Sequence, residues 1–246
     1  MTFAIGAAVG ALGAGWLVFL RDTAEPVTVR EAIESFREDT EPAPAESPIP
    51  AGVYVYATDG FEKTDALTGV RHNYPRRSTI AISSTACGVS LVWRVLKGRT
   101  TEWTFCTTTA GWELASQDER HTFFGRTEPT TYLCEGTPIR PAADSVTTWD
   151  VSCSTGTSEE RGTGLVVGRE QVRVGEKMVT TEHVRRTTTF SGEIRGSSRH
   201  DIWFDSKSGV PVKIVMVSRT TNDSPVGDVH YVEDVTLLLM SLTPRR

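Results

Sequence analysis

GTGLVVGREQVRVGEKMVTTEHVRRTTTFSGEIRGSSRHDIWFDSKSGVPVKIVMVSRT, residues Gly162 to Thr220, decides the fold class. Short polar turns cut this stretch at Gly175-Glu176, at Ser191-Gly192 to Gly196, and at Ser206-Lys207-Ser208-Gly209. The segments between them, Leu165–Val174, Met178–Phe190, Arg199–Asp205 and Val210–Thr220, are rich in Thr and Val. β-Branched side chains lose rotamer freedom in a helix and suit a pleated surface. Strands so close in sequence predict antiparallel neighbours, because a parallel pair needs a longer crossover.

Working outward, further short strands are expected at Val53–Tyr56, Thr79–Ser83, Val89–Leu96, Thr101–Thr108, Trp112–Ser116, His121–Gly125, Thr131–Cys134, Val146–Cys153 and Val229–Leu242. Lys97-Gly98-Arg99 reads as a hairpin turn. About a dozen strands with no helix between them cannot cover a flat sheet on both faces. The predicted fold is therefore mainly β, a curved antiparallel sheet that forms a half-barrel, a barrel or a sandwich over residues 51–246.

Ahead of it, Phe3 to Leu20 is an uncharged apolar run ended by Arg21. Its 18 residues span roughly 27 Å as a helix, enough for a bilayer core. With no basic residues before it and no Ala-x-Ala after it, the run reads as a retained transmembrane anchor over 1–21 rather than a cleaved signal. Gly6-x-x-x-Gly10 and Ala11-x-x-x-Gly15 would let two such helices pack as a homodimer. Residues 22–50 hold a juxtamembrane helix and a linker. Thr28 and Glu31 form a capping box, and Val29, Ala32, Ile33 and Phe36 make one apolar face, which predicts a helix over 25–39 lying on the β-domain, on the membrane surface or on a partner. Thr40 to Pro50, TEPAPAESPIP, is a proline-rich spacer.

The net charge of −5 is concentrated in residues 21–50, and residues 51–246 carry 23 charges of each sign. Lacking a basic surplus, the β-domain is not expected to bind nucleic acid.

Cys87, Cys106, Cys134 and Cys153 show no Cys-x-x-Cys spacing, which argues against zinc or thioredoxin chemistry. Two disulfides are expected, as suits a domain outside the cytoplasm, and of the three possible connectivities Cys134–Cys153 with Cys87–Cys106 is preferred. Arg21, Arg30 and Arg37 follow the apolar run and argue for the reverse orientation. They are outnumbered by acids, and the cysteines place the domain outside. The localisation expected is a single-pass plasma-membrane protein with its C-terminal domain extracytoplasmic.

None of His72, His121, His183, His200 and His230 stands at a metal-binding spacing. His200 and Asp201 are consecutive in a strand and should point to opposite faces rather than form a dyad. Gly162-x-Gly164-x-x-x-Gly168 lacks the strand–loop–helix setting of a phosphate loop and reads as turn glycines. Glu233-Asp234 is slight support for glycoside chemistry. No metal, no cofactor and no enzymatic activity are predicted.

Gly52-Val-Tyr-Val-Tyr, Arg71-His-Asn-Tyr-Pro75, Cys87-Gly-Val, His121-Thr-Phe-Phe-Gly125 and the Val29–Arg37 helix resemble a family of membrane-anchored envelope proteins of high-GC Gram-positive bacteria. That resemblance implies no particular activity. Val167-Gly-Arg-Glu-Gln-Val, Asp201-Ile-Trp-Phe-Asp and Gly209-Val-Pro-Val-Lys are similar to the second half of LolA- and LppX-like half-barrels, which implies a curved sheet holding lipid.

The function expected is a tethered module binding a lipid or other apolar envelope ligand; the alternative is a structural or interaction protein of the envelope. Strands Val210–Val217 and Val235–Leu239 are apolar at both parities, so one face joins the core and the other needs a second cover. Ile214, Met216, Leu237 and Leu239 are the candidate lining residues. Trp203 is also a candidate, although Trp203 and Phe204 face opposite ways and only one of the two can share the cavity.

Overall fold

The computed structural model describes residues 24–39, 49–66, 69–123, 125–142, 147–223 and 227–246. The Phe3–Leu20 run, the helix-pairing spacings within it and most of the 40–50 spacer lie outside the described residues. Among those described, no helix is long and apolar enough to cross a membrane.

Among the described residues one helix, α1 (Val29–Asp39), precedes thirteen strands. These are β1 (Gly52–Thr64), β2 (Val70–Asn73), β3 (Arg77–Ser84), β4 (Gly88–Leu96), β5 (Arg99–Thr108), β6 (Gly111–Phe123) and β7 (Arg126–Pro141). They continue with β8 (Thr148–Ser154), β9 (Ser158–Val174), β10 (Lys177–Gly192), β11 (Ile194–Asp205), β12 (Pro211–Asn222) and β13 (Val229–Leu239). From β3 to β13 each strand pairs antiparallel with the next, and β13 returns to β1 in register from Tyr56↔Leu239 to Thr64↔Tyr231. Of the forms left open by the sequence, the chain takes the closed antiparallel barrel of twelve strands. Closure leaves the ring no free edge.

β2 and β3 share one place in the ring. β1 pairs with β3 through Gly52–Ala57 and with β2 through Phe61–Thr64. The break between them falls at Tyr74-Pro75, and proline has no N–H to give a ladder. Gly60 is required where β1 turns against β13, because a Cβ there would stand 2.3 Å from the Asp234 carbonyl oxygen.

Several strand limits differ from expectation. Trp112–Ser116 and the first residues of His121–Gly125 are parts of one strand, β6, which ends at Phe123 and whose pairing with β7 shifts register around Ala115 and so hides the alternation. Thr131–Cys134 lies inside the longer β7. β11 begins at Ile194 rather than Arg199, so the preceding turn is shorter. Gly162 and Gly164 are not turn residues. Both lie within β9, where a Cβ on Gly164 would come within 2.0 Å of the Trp149 ring.

The Thr28–Glu31 capping box forms: Thr28 N donates to Glu31 Oε2 at 2.7 Å, and Glu31 N to Thr28 Oγ1 at 3.2 Å. The helix then lies on the outside of the barrel. Val27, Ala32, Ile33 and Phe36 pack on Val53, Ala81 and Val92, the outward residues of β1, β3 and β4. Its apolar face is thus taken up by the barrel wall.

The disulfides form as expected, Cys87–Cys106 and Cys134–Cys153. The second joins directly opposed residues of β7 and β8, where the ladder is two pairs long among the described residues. Thr137 extends that seam with its side chain, accepting from Ser152 N and donating to Ser152 O, each at 3.2 Å.

The β9–β10 hairpin outgrows the wall. Past a register shift at His183/Val184 its end carries Val172, Val174 and Val179 onto the main core, and Gly175 lies against the Met240 carbonyl.

Candidate binding site in the barrel lumen

Inward side chains alternate with outward ones along every strand of a barrel. Here the inward set divides into a polar half and an apolar half. The polar half begins at the end where β4 turns into β5 and β13 begins. Glu62 of β1 receives His72 Nδ1 at 2.9 Å, His121 Nδ1 at 3.3 Å and Tyr231 Oη at 3.2 Å, with Arg99 Nε at 3.7 Å. His121 Nε2 meets Glu119 at 3.3 Å. Arg99 Nη2 donates to both oxygens of Glu233 at 3.1 Å, and Tyr74 Oη donates to the same carboxylate. Phe123 stacks over His72 and His121 and meets Tyr231 edge-on.

Burial opposes ionisation of Glu62, but the bonds from His121 and His72 and the charge of Arg99 outweigh it, holding its carboxyl at about 2. Glu119 is likewise held at about 2, because bonding to His121 and the Arg99 charge overcome burial. For His121, burial and the Arg99 charge push down, but Glu119 and Glu62 prevail and raise it.

The chain of contacts continues down the lumen. Gln117 Nε2 donates to Glu119 at 2.8 Å, and Gln117 Oε1 accepts from Trp103 Nε1 at 3.0 Å and from Arg186 Nη2 at 3.1 Å. Arg186 Nη2 also meets His200 Nδ1 at 3.0 Å and Glu160 at 3.8 Å. His200 is held neutral, lowered to about 3 by burial and by the Arg186 charge. Glu160 accepts from Thr188 at 2.7 Å, and Thr188 bonds Ser198.

Beyond Arg186 the lumen turns apolar. A void of about 20 Å³ lies between Leu91, Trp103, Phe105, Leu114, Ile214 and Met216, with Arg186 and His200 on its polar side. That is room for about one water molecule. Phe204 also borders the void. It meets Trp112 edge-on at 6.0 Å, and Arg140 covers both rings at 5.3 and 5.9 Å. On the far side of Trp112 is an open vestibule of about 290 Å³, bordered by Arg140, Pro141, Arg169, Glu182 and Ser206. Arg140 Nε donates to Glu182 at 3.1 Å across it.

Of the residues singled out by sequence, Ile214 and Met216 border the void. Leu237 and Leu239 lie in the same buried core, and Leu237 is the cross-strand partner of Ile214. Trp203 belongs to the same buried core but does not border the void. It faces outward, stacked on His183 at 3.9 Å, with Nε1 donating to Glu170 at 2.9 Å and Lys213 Nζ above the ring at 4.3 Å. The second cover at this place is thus supplied by protein side chains. His200 and Asp201 separate as expected, His200 inward to Arg186 and Asp201 outward to His183 at 2.8 Å.

The polar half was not anticipated from the sequence. Glu119-x-His121 and Arg99-x-Thr101-x-Trp103 alternate with period two, but that pattern does not say which face is inward. Among the described residues no group of His, Cys, Asp and Glu is placed to hold a metal ion.

The fold and the lumen define a closed antiparallel barrel, nearly filled, with a charged network at one end and an aromatic-gated apolar end at the other. Compared with known protein families, with curated proteins and with solved structures, the chain has no significant match.

Proposed function

We propose that the barrel is a non-catalytic binding module for a small ligand with an apolar part, taken up at the Trp112 end of the lumen. One observation carries this reading: Phe204 borders the apolar void, Trp112 borders the open vestibule, and the two rings meet edge-on. The vestibule alone approaches the lower limit of small-molecule sites, about 300 Å³. Ligand entry must move Trp112 and Phe204, and Met216, unbranched and adaptable, is the side chain best suited to yield within. A full-length acyl chain does not fit the lumen as it stands, so a compact or short-tailed ligand suits it better than a membrane lipid.

The apolar Phe3–Leu20 run supports tethering to the plasma membrane, and two disulfides support placing the barrel outside the cytoplasm. Native mass spectrometry of protein extracted from its membrane fraction, with calorimetric titration of 1-octanol and octanoate, tests the reading. A retained small molecule or saturable binding of either probe supports it. A clean apo mass with no binding of either overturns it, and favours an envelope interaction protein acting through its outer wall, where Leu133 and Met178 stand exposed.

A further inference from the structure

We infer that the lumen ligand is a monoanion, a carboxylate with an apolar tail, and that Arg186 is the anchor for its acid group. The inference rests on the lumen-binding reading and adds the chemical class of the ligand. Arg186 is 3% exposed, yet only Nη2 is engaged, by Gln117, His200 and Glu160. Its Nε and Nη1 are buried without a hydrogen-bond partner, and the residue borders the void. Leaving a buried donor unmade costs about 1–3 kcal/mol, more when it belongs to a charged group. A carboxylate oxygen delivered into the void would convert this cost into a charge-assisted bond.

The remaining walls decide what the acid group is attached to. Leu91, Trp103, Phe105, Leu114, Ile214 and Met216 offer only apolar surface, so the tail must be hydrocarbon. The charge nearby decides how acidic the head is. Glu160 already stands 3.8 Å from Nη2 and is held there by Thr188. A phosphate dianion would set three negative charges against one guanidinium in a low-dielectric site, whereas a carboxylate sets two. The approach agrees with this polarity. Among the described residues, Arg140 and Arg169 border the vestibule against one acid, Glu182, and a positive surplus at a channel opening raises the local concentration of anions. An anion entering head first therefore passes two guanidinium groups on its way to a third.

The test uses the purified full-length protein and two probes of equal chain length, octanoate and 1-octanol, followed by calorimetry. Octanoate is expected to bind more tightly than octanol. Arg186→Gln should weaken octanoate by roughly ten- to a hundredfold and leave octanol unchanged. Arg186→Lys should restore part of the loss, with circular dichroism confirming the fold of each variant. If the Gln variant does not fold, the wild-type comparison decides alone. Equal affinity for the two probes overturns the anchor and leaves the lumen reading intact. Octanoate binding that survives Arg186→Gln but is lost in Arg140→Gln places the acid group in the vestibule and also overturns it. Failure of both probes removes the lumen reading itself.

Discussion

Arg99 and Glu233 meet across the lumen: Nη2 of one donates at 3.1 Å to both carboxylate oxygens of the other. Arg99 opens β5 and Glu233 lies near the start of β13, with β1, β3 and β4 between them in the ring. The pair therefore ties together walls that are not neighbours in the sheet, and both partners are almost wholly buried.

Removing one partner leaves the other as an uncompensated buried charge. Glu233→Gln and Arg99→Met are each expected to lower unfolding free energy by about 3–5 kcal/mol. Replacing both together with apolar residues should recover much of that loss, because the desolvation cost disappears with the charges. Urea denaturation of the two single variants and the double variant measures this. A single-variant loss below about 1 kcal/mol would place the pair among weak surface-type bridges.

The same end of the barrel sets the pH dependence of stability. Glu62 and Glu119 are held at about 2 against an ordinary value of 4.5, so their contribution is present above about 4.5 and is lost as pH falls toward 2. His121 is raised above 6.5, so its contribution is complete below about 6.5 and is lost as pH climbs through the raised value. His200, lowered to about 3 from an ordinary 6.5, adds a contribution that is lost as pH falls below about 6.5. Stability should therefore peak near pH 6.5 and decline on both sides. His121→Gln should flatten the alkaline side only. Urea midpoints from pH 3 to 9 test it, and stability that rises steadily from pH 6 to 9 contradicts the assignment.

Cys134–Cys153 closes a loop with a sequence separation of 19 and clamps the short β7–β8 ladder. The double variant Cys134→Ser/Cys153→Ser should lose about 3 kcal/mol. Peptide mapping without reductant should recover the two segments as one linked species, and finding either thiol free would break the assignment.

What the sequence made legible follows from period. Thr- and Val-rich runs between polar turns are local signals, and they marked β10 and β12 to within a few residues, whereas β9 begins at Ser158, well before the run that starts at Leu165. The opposition of His200 to Asp201 and of Trp203 to Phe204 also needed only strand alternation. Closure did not follow, because the pairing of β1 with β13 joins residues such as Tyr56 and Leu239 at opposite ends of the chain. Without that register the inward parity of each strand is undetermined. Nothing in the sequence therefore separates Glu62, His121, Arg99 and Arg186 from surface polar residues, although they face the lumen. The outward parity of Trp203, which is buried against His183 rather than at the void, was hidden for the same reason. Bulges added a second obstacle: at His183/Val184 the ladder slips, and buried side chains fall on consecutive residues.

The last prediction concerns access to the void. Arg140 covers Trp112 and Phe204 while its Nε is held by Glu182, so this ion pair is the part of the gate that can be loosened without emptying the core. Both partners are about one-fifth exposed, and breaking such a pair near the surface should cost only about 1 kcal/mol of stability. Glu182→Gln is thus expected to leave the fold intact and to free the guanidinium from its position over the rings. If Trp112 and Phe204 are the way in, octanoate should then enter and leave several-fold faster, with its equilibrium affinity changed much less than either rate. Trp103 borders the void, so stopped-flow tryptophan fluorescence provides the signal. The opposite end offers the contrast. Phe123 covers His72 and His121 there, and Phe123→Ala should leave the octanoate rates unchanged. Acceleration by Phe123→Ala with no effect of Glu182→Gln would move the way in to the charged end of the barrel.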